Sequence, residues 1–232
     1  MTSRSVLVIN PNSSPSVTQA IRRAATSIQL PGIEFVTKQL DDGPTVIESD
    51  EEHQQAAQVL VKSIAAWATG HDCIIIACHG DPGILQAREV ASVPVLGIGE
   101  TSMLAAAAAT RSFGVLTLGP DVVPRKWRQL RATGIADRCI AVEPTETGVL
   151  HAVNEDVDLT PYVMAARAAT AKGADVLVLG CAGMVSVRER LAEILDTPVI
   201  EPVLATCIAA TGVLASLPTG VRPIALTLSH LA

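Results

Sequence analysis

The chain has 232 residues, enough for one large or two small cores, and 49% of them are apolar. Aromatics make up only 2% and the formal charge is −6, which argues against base stacking and against a phosphate backbone, so no nucleic-acid partner is expected. No apolar run spans a membrane without a charge or proline, and the first residues run straight into a strand-like segment with no signal peptide, so the expectation is a cytoplasmic protein with no membrane partner and reduced thiols.

Val6-Leu7-Val8-Ile9 reads as a buried strand that ends at Asn10-Pro11-Asn12-Ser13. Ser14 then suits a helix N-cap, with Pro15 in the first turn. Ser49-Asp50-Glu51-Glu52 has capping-box spacing and opens a helix to about Ala68. Cys73 to Ala77 is a second strand, ending at Cys78, and Asp81-Pro82 reads as the next helix start. Val93 to Leu96 is a short strand and Thr101 to Thr110 an Ala-rich helix. Asp121 to Arg131 carries three arginines and a lysine near Trp127 and reads as an exposed or interface helix. Phe113 to Leu118 and Val176 to Leu179 are further strands, and Ile224 to Leu228, after Pro218, reads equally as strand or plain packing. Strands that alternate with helices specify an α/β fold with parallel, helix-covered sheets.

The chain also resembles itself. Asp72-Cys73-Ile74-Ile75-Ile76-Ala77-Cys78 matches Asp175-Val176-Leu177-Val178-Leu179-Gly180-Cys181. Val93-Pro94-Val95 matches Thr197-Pro198-Val199, and each copy continues into an Ala-rich helix, Leu104 to Thr110 and Leu204 to Thr211. The starts align more loosely, with Val6 to Pro11 laid on Val115 to Pro120. A duplicated unit of this length implies two pseudo-symmetric lobes rather than a solenoid. The expected division is residues 1–98 with 205–232 in one lobe and 99–204 in the other. Ligands of such sheets bind beyond the strands' carboxyl ends, where both Cys78 and Cys181 stand, so the two thiols are expected on opposite sides of one cleft.

Two opposed thiols suit inversion at a carbon acid. One thiolate removes a proton next to a carbonyl, and the other thiol returns one to the opposite face. Helix starts near each cysteine, with Ser186 as a candidate cap after Cys181, are expected to lower the thiol pKa values. The backbone N–H groups of Gly80, Ala182 and Gly183 are candidates to hold an enolate oxygen. Cys73 and Cys207 read as packing residues, and Cys139 as part of a surface connection. His53 and His71 lack companions at metal spacing and read as surface residues, no CxxC pair is present, and neither a metal nor any other cofactor is expected. Gly97-Ile98-Gly99 lacks a third glycine at dinucleotide-binding spacing and reads as a tight turn.

Val8-Ile9-Asn10-Pro11-Asn12-Ser13, Ala77-Cys78-His79-Gly80-Asp81-Pro82-Gly83, Ala87-Arg88-Glu89 and Leu177-Val178-Leu179-Gly180-Cys181-Ala182-Gly183-Met184 together resemble the hydantoin racemases and their allantoin racemase relatives, within the aspartate/glutamate racemase superfamily. The resemblance covers nearly the whole chain, loosely from Asp121 to Ala174. It implies a two-lobed α/β fold, metal-free racemisation by Cys78 and Cys181, a small-molecule substrate and a homo-oligomer. It also implies that Asn10 and Ser13 hydrogen-bond the substrate, and that Thr117 lies near it, although Leu116 stands where relatives pair two threonines. Amino-acid racemases of the superfamily tend to have Asp-Ser and Cys-Thr-His where this chain has Asn10-Pro11 and Cys181-Ala182-Gly183, which favours a neutral cyclic ureide. His79 stands where hydantoin racemases usually have Phe. It either reshapes the substrate pocket and tunes Cys78, or is a polar residue at a helix start that faces solvent. The competing readings are an amino-acid racemase or a maleate-type isomerase with the same cysteines, an arylmalonate-type decarboxylase, and a two-lobed solute-binding module without chemistry.

Overall fold

The computed structural model describes residues 3–217. The possible strand at Ile224–Leu228, and the part of the lobe division beyond Leu217, lie outside the described residues. The first half runs β1 (Arg4–Asn10), α1 (Pro15–Thr26), β2 (Ile33–Gln39), α2 (Asp50–Trp67), β3 (Cys73–Ile76), α3 (Ile84–Val90) and β4 (Val95–Gly97). After α4 (Ile98–Ala109) come β5 (Phe113–Thr117), α5 (Val123–Ala132), β6 (Cys139–Pro144), the single turn α6 (Val149–Ala152), α7 (Thr160–Ala171), β7 (Val176–Leu179), α8 (Val185–Ile194), β8 (Val199–Ile200) and α9 (Pro202–Ser216).

Local chemistry explains the starts. Ser14 accepts a bond from the Val17 amide with Pro15 in the first turn of α1, and Ser49 with Glu52 completes the capping box of α2. The Asp81-Pro82 expectation is corrected. Asp81 has φ +48°, Gly83 stands in the left-handed region, and α3 begins only at Ile84. Asp81 turns its carboxylate to a different helix, accepting from the Gly99 and Glu100 amides at the start of α4. Ser186 is likewise no cap: it lies inside α8 and bonds the Asn154 carbonyl. Cys139 is not in a surface connection but opens β6, buried, and pairs opposite Phe113.

The two sheets have the same parallel order, β2-β1-β3-β4 and β6-β5-β7-β8. Ile9 pairs with Ile76 as Leu116 pairs with Leu179, so Asn10 and Thr117 are the equivalent positions. The looser sequence alignment of the two starts was therefore out of step by two residues. The cysteine repeat is in step, because Cys78 and Cys181 both stand two residues past these last paired positions.

Alternate strand residues feed different cores, as the period of two requires. Leu7, Ile9, Ile74 and Ile76 pack under α2 and α3, while Phe113, Val115, Val176 and Val178 pack under α4 and α5. The other faces, with Val6, Val8 and Ile75 from one sheet and Leu116, Leu177 and Leu179 from the other, meet in a single cluster completed by α1, α7, α8 and α9. The helix α9 follows the second sheet in sequence yet packs against β3 and β4 of the first.

Glu201 caps α9, its carboxyl accepting from the Val203 and Leu204 amides while buried. Burial outweighs those bonds and pushes its pKa from 4.5 up to about 7. A folded-state value above the unfolded one means that this group's contribution is complete below 4.5 and is lost as the pH rises through about 7. Measured against Glu201→Gln by urea titration, the wild type should lose roughly 2–3 kcal/mol between about pH 5 and 8. A pH-independent difference between the two proteins would show that the carboxyl ionises normally.

Candidate active site

A cleft of about 570 Å³, including its open mouth, lies past the carboxyl ends of both sheets. Cys78 reaches it from the loop after β3 and Cys181 from the loop after β7. Both thiols are free and partly accessible. His79, Gly80, Thr117 and Ala182 also line the cleft, together with Asn12, Glu48, Arg125 and Lys126.

Three of the candidate residues named from sequence do not line it. The Asn10 amide is buried in its own turn, donating to Asn12 Oδ1 and Thr18 Oγ1 and accepting from the Asn12 amide. Ser13 lies on the same turn, its amide bonded to the Pro44 carbonyl, and it is Asn12 that reaches the cleft. Gly183 stands behind Cys181, and its amide donates to that sulfur at 3.2 Å. The equivalent Gly80 amide likewise favours the charged form of Cys78. These two amides therefore act on the thiols, where sequence had suggested an enolate oxygen.

The expected lowering of the thiol pKa values is reversed. Burial pushes both up, Cys181 to about 12, and a single amide bond does not offset the lost hydration. The cysteines differ in their charged neighbours. Around Cys78, Asp81 opposes the thiolate while Arg125 and Lys126 favour it, whereas around Cys181 the facing Cys78 and Glu48 oppose it and Lys126 favours it. A raised pKa reduces the thiolate population but makes the thiolate that does form a stronger base toward carbon.

The segment Asp121 to Arg131 is the main correction. Its helix, α5, buries Lys126 and Leu130 on one face and puts Arg125 on the cleft wall. Lys126 Nζ donates to His79 Nδ1 at 2.5 Å, to the His79 carbonyl at 2.7 Å and to Gln129 Oε1 at 2.6 Å. An ammonium has only donors, so the imidazole proton sits on Nε2, which faces Ser102 Oγ at 3.3 Å. His79 is thus buried rather than facing solvent, and burial followed by the Lys126 charge holds its pKa well below 6.5. Gln129 passes the chain on to Asp81 at 2.8 Å. Burial raises the Asp81 pKa to about 6 and lowers that of Lys126 to about 8, each partly restored by the other's charge. The two glycines around Ile98 allow this close fit, since a Cβ on Gly99 would collide with the His79 carbonyl and one on Gly97 with the Asp81 carboxylate.

His53 and His71 are not plain surface residues. His53 Nε2 meets the Gly80 carbonyl at 2.9 Å and so props the Cys78 loop, while His71 Nδ1 meets Ser5 Oγ at 2.8 Å. Three contacts tie α2 and the residues before it to the second half of the chain. Glu48 Oε1 accepts from the Val149 amide at 2.6 Å, and Asp50 pairs with Arg125 at 2.8 Å and with Arg128 at 3.1 Å. Among the described residues no group of three His, Cys, Asp or Glu side chains is placed to hold a metal ion, and no helix is long and apolar enough to cross a membrane.

The family model described as Asp/Glu/hydantoin racemase matches residues 6–210. A hydantoin racemase of Paenarthrobacter aurescens is 32% identical over 215 residues, covering 90% of this chain and 91% of that protein. The solved allantoin racemase of Klebsiella pneumoniae superposes with a TM-score of 0.85 at 31% identity, covering 92% of this chain and 88% of that one. The allantoin racemase of Pseudomonas fluorescens gives 0.83 at 26% identity, covering 91% of each chain.

Asp81 ties the network to α4, which makes its removal informative. Asp81→Ala leaves two buried amides without an acceptor and the Lys126 charge without its carboxylate. The variant should lose about 3 kcal/mol or more of unfolding free energy in urea, and Asp81→Asn, which keeps an acceptor, should lose less. A loss below about 1 kcal/mol for Asp81→Ala would mean that the network does not hold the loop.

Proposed function

The chain belongs to the Asp/Glu/hydantoin racemase family, and from that premise we propose that it racemises a 5-substituted hydantoin or a related cyclic ureide by proton transfer between Cys78 and Cys181. The observation that carries this reading is that both thiols, at equivalent points of the duplication, line one cleft. In one direction the Cys78 thiolate takes the proton from the ring carbon that bears the substituent. The electron pair moves onto the adjacent carbonyl as an enolate, and the Cys181 thiol delivers its proton to the opposite face. One C–H bond breaks and one forms, Cys78 ends as the thiol and Cys181 as the thiolate, and no electrons leave the system. The other enantiomer runs the same steps with the roles exchanged. The adjacent ring carbonyl takes up the electron pair, so the step as drawn uses no cofactor.

The substrate class is supported by the hydantoin and allantoin racemases that the chain resembles, and by the small neutral residue Ala182 beside Cys181. Arg125 on the cleft wall favours a second reading, since a guanidinium suits the carboxylate of a free amino acid. Its Nη1 is already paired with Asp50, which weakens that alternative.

A single enantiomer of a 5-substituted hydantoin, followed by polarimetry in deuterated buffer, is expected to lose rotation and gain deuterium at the ring carbon. Cys78→Ser and Cys181→Ser should each cut the rate by about 10²–10⁴-fold. Full activity in both variants would exclude the two-base mechanism. Turnover of amino acids alone would move the substrate to the second reading, and binding without isotope exchange would make the protein a binding module.

A further inference from the structure

The charged network behind Cys78 is answered near Cys181, among the described residues, only by the uncharged hydroxyls of Tyr162, Thr147 and Thr145. Cys78 stands on a loop of the first half, and α5 of the second half reaches across to it. Lys126 directs bonds to His79 Nδ1, the His79 carbonyl and Gln129, so the loop residue next to the sulfur is clamped at both its side chain and its backbone. Asp81 and the α4 amides hold the far end of the same loop, and His53 holds the Gly80 carbonyl between them. Behind Cys181 the corresponding residue is Ala182, and the only bond to the sulfur among the described residues is from the Gly183 amide.

We infer that Lys126 is a positioning residue that makes the two thiols unequal: it clamps the Cys78 loop from the opposite half and holds a positive charge against the residue next to that sulfur, so of the two thiols Cys78 is the first to ionise. The inference rests on the two-cysteine reading for its catalytic meaning, though not for its measurement. The ionisable groups around the pair are consistent with it. Lys126 is faced by Asp81, His79 and Cys78 from the loop, by Cys139 from β6, by Arg125 from its own helix and by His53 from α2. Cys78 is faced by Asp81, Arg125 and Lys126, with Cys181 across the cleft. With His79 neutral, the Lys126 ammonium is balanced chiefly by the Asp81 carboxylate, which is itself tied to two backbone amides. The enantiomer that Cys78 deprotonates is thereby served by the thiol that ionises more readily. The other enantiomer requires the thiolate at Cys181, the harder of the two to form.

The test is the rate of iodoacetamide alkylation at each cysteine between about pH 6 and 10, read by peptide mass spectrometry. The midpoint of each pH–rate curve reports ionisation regardless of how accessible the sulfur is. In the wild type the Cys78 curve should bend at least about one pH unit below that of Cys181, whose rate, with a pKa of about 12, should still be rising at the top of this range. Lys126→Met should raise the Cys78 midpoint by about one unit or more and slow the alkylation of Cys181 at a given pH by less, with Lys126→Gln as the variant to use if Met does not fold. Equal midpoints in the wild type, or Cys181 ionising first, overturn the inference without any variant. An unmoved Cys78 midpoint in a folded variant overturns it as well. Alkylation needs no turnover, so its outcome is separate from racemisation by the Cys→Ser variants, which tests the two-base mechanism itself.

Discussion

Parallel pairing in register is the constraint from which the site follows. In each sheet the third strand in sequence lies beside the central first strand, and its chain leaves the sheet at the same point. A cysteine two residues beyond that point is delivered to the same height in both halves, so opposed thiols need no special loop design. The buried polar residues Asn10 and Thr117 occupy the matching places on the two central strands, and the duplication gave them different tasks. Asn10 holds a turn, whereas Thr117 lines the cleft.

What reads clearly in the sequence is what depends on near neighbours. The apolar runs of β1, β3, β5 and β7, the caps at Ser14 and Ser49, and the cysteine repeat all stand in the structure as written. The edge strand β2 escaped because a half-exposed strand carries polar residues such as Glu34 and Lys38 and lacks a continuous apolar run, whereas β6 has the apolar run Cys139 to Val142 but reads in the sequence as a surface connection. Lys126 escaped for a different reason. A segment with three arginines reads as solvated, and the partner that buries its lysine, His79, is 47 residues away. The available signal was spacing, since Lys126 falls four residues before the buried Leu130, on the same helix face. Asp81 misled for a related reason: an Asp-Pro pair satisfies the rule for a helix start, yet its carboxylate serves a later helix that begins at Ile98, accepting from Gly99 eighteen residues on.

The electrostatics of the cleft are a contest between lost hydration and fixed charge. Burial raises both thiols, and neither Gly80 nor Gly183 reverses that with one amide. Around Cys78 the surroundings answer with a lysine, an arginine and a neutral imidazole, while the Cys181 side keeps a small apolar residue and a nearby glutamate. The backbone symmetry that brings the sulfurs together is therefore not matched by symmetry of charge. The residues that break it, His79 and Lys126, come from opposite halves of the duplication.

The apolar cluster shared by the inner faces of both sheets carries one more implication. Each half of the duplication owns one private core, and its remaining sheet face is covered by its own helices, α1 in the first half and α7 in the second, with α9 returning to β3 and β4 of the first sheet from the end of the described chain. A chain severed between Ala109 and Phe113 would take α9 from β3 and β4 of the first sheet and α4 from Phe113, Val115, Val176 and Val178 of the second, so each fragment would wet apolar strand residues. The two halves are therefore bound together by the exchange of these two helices.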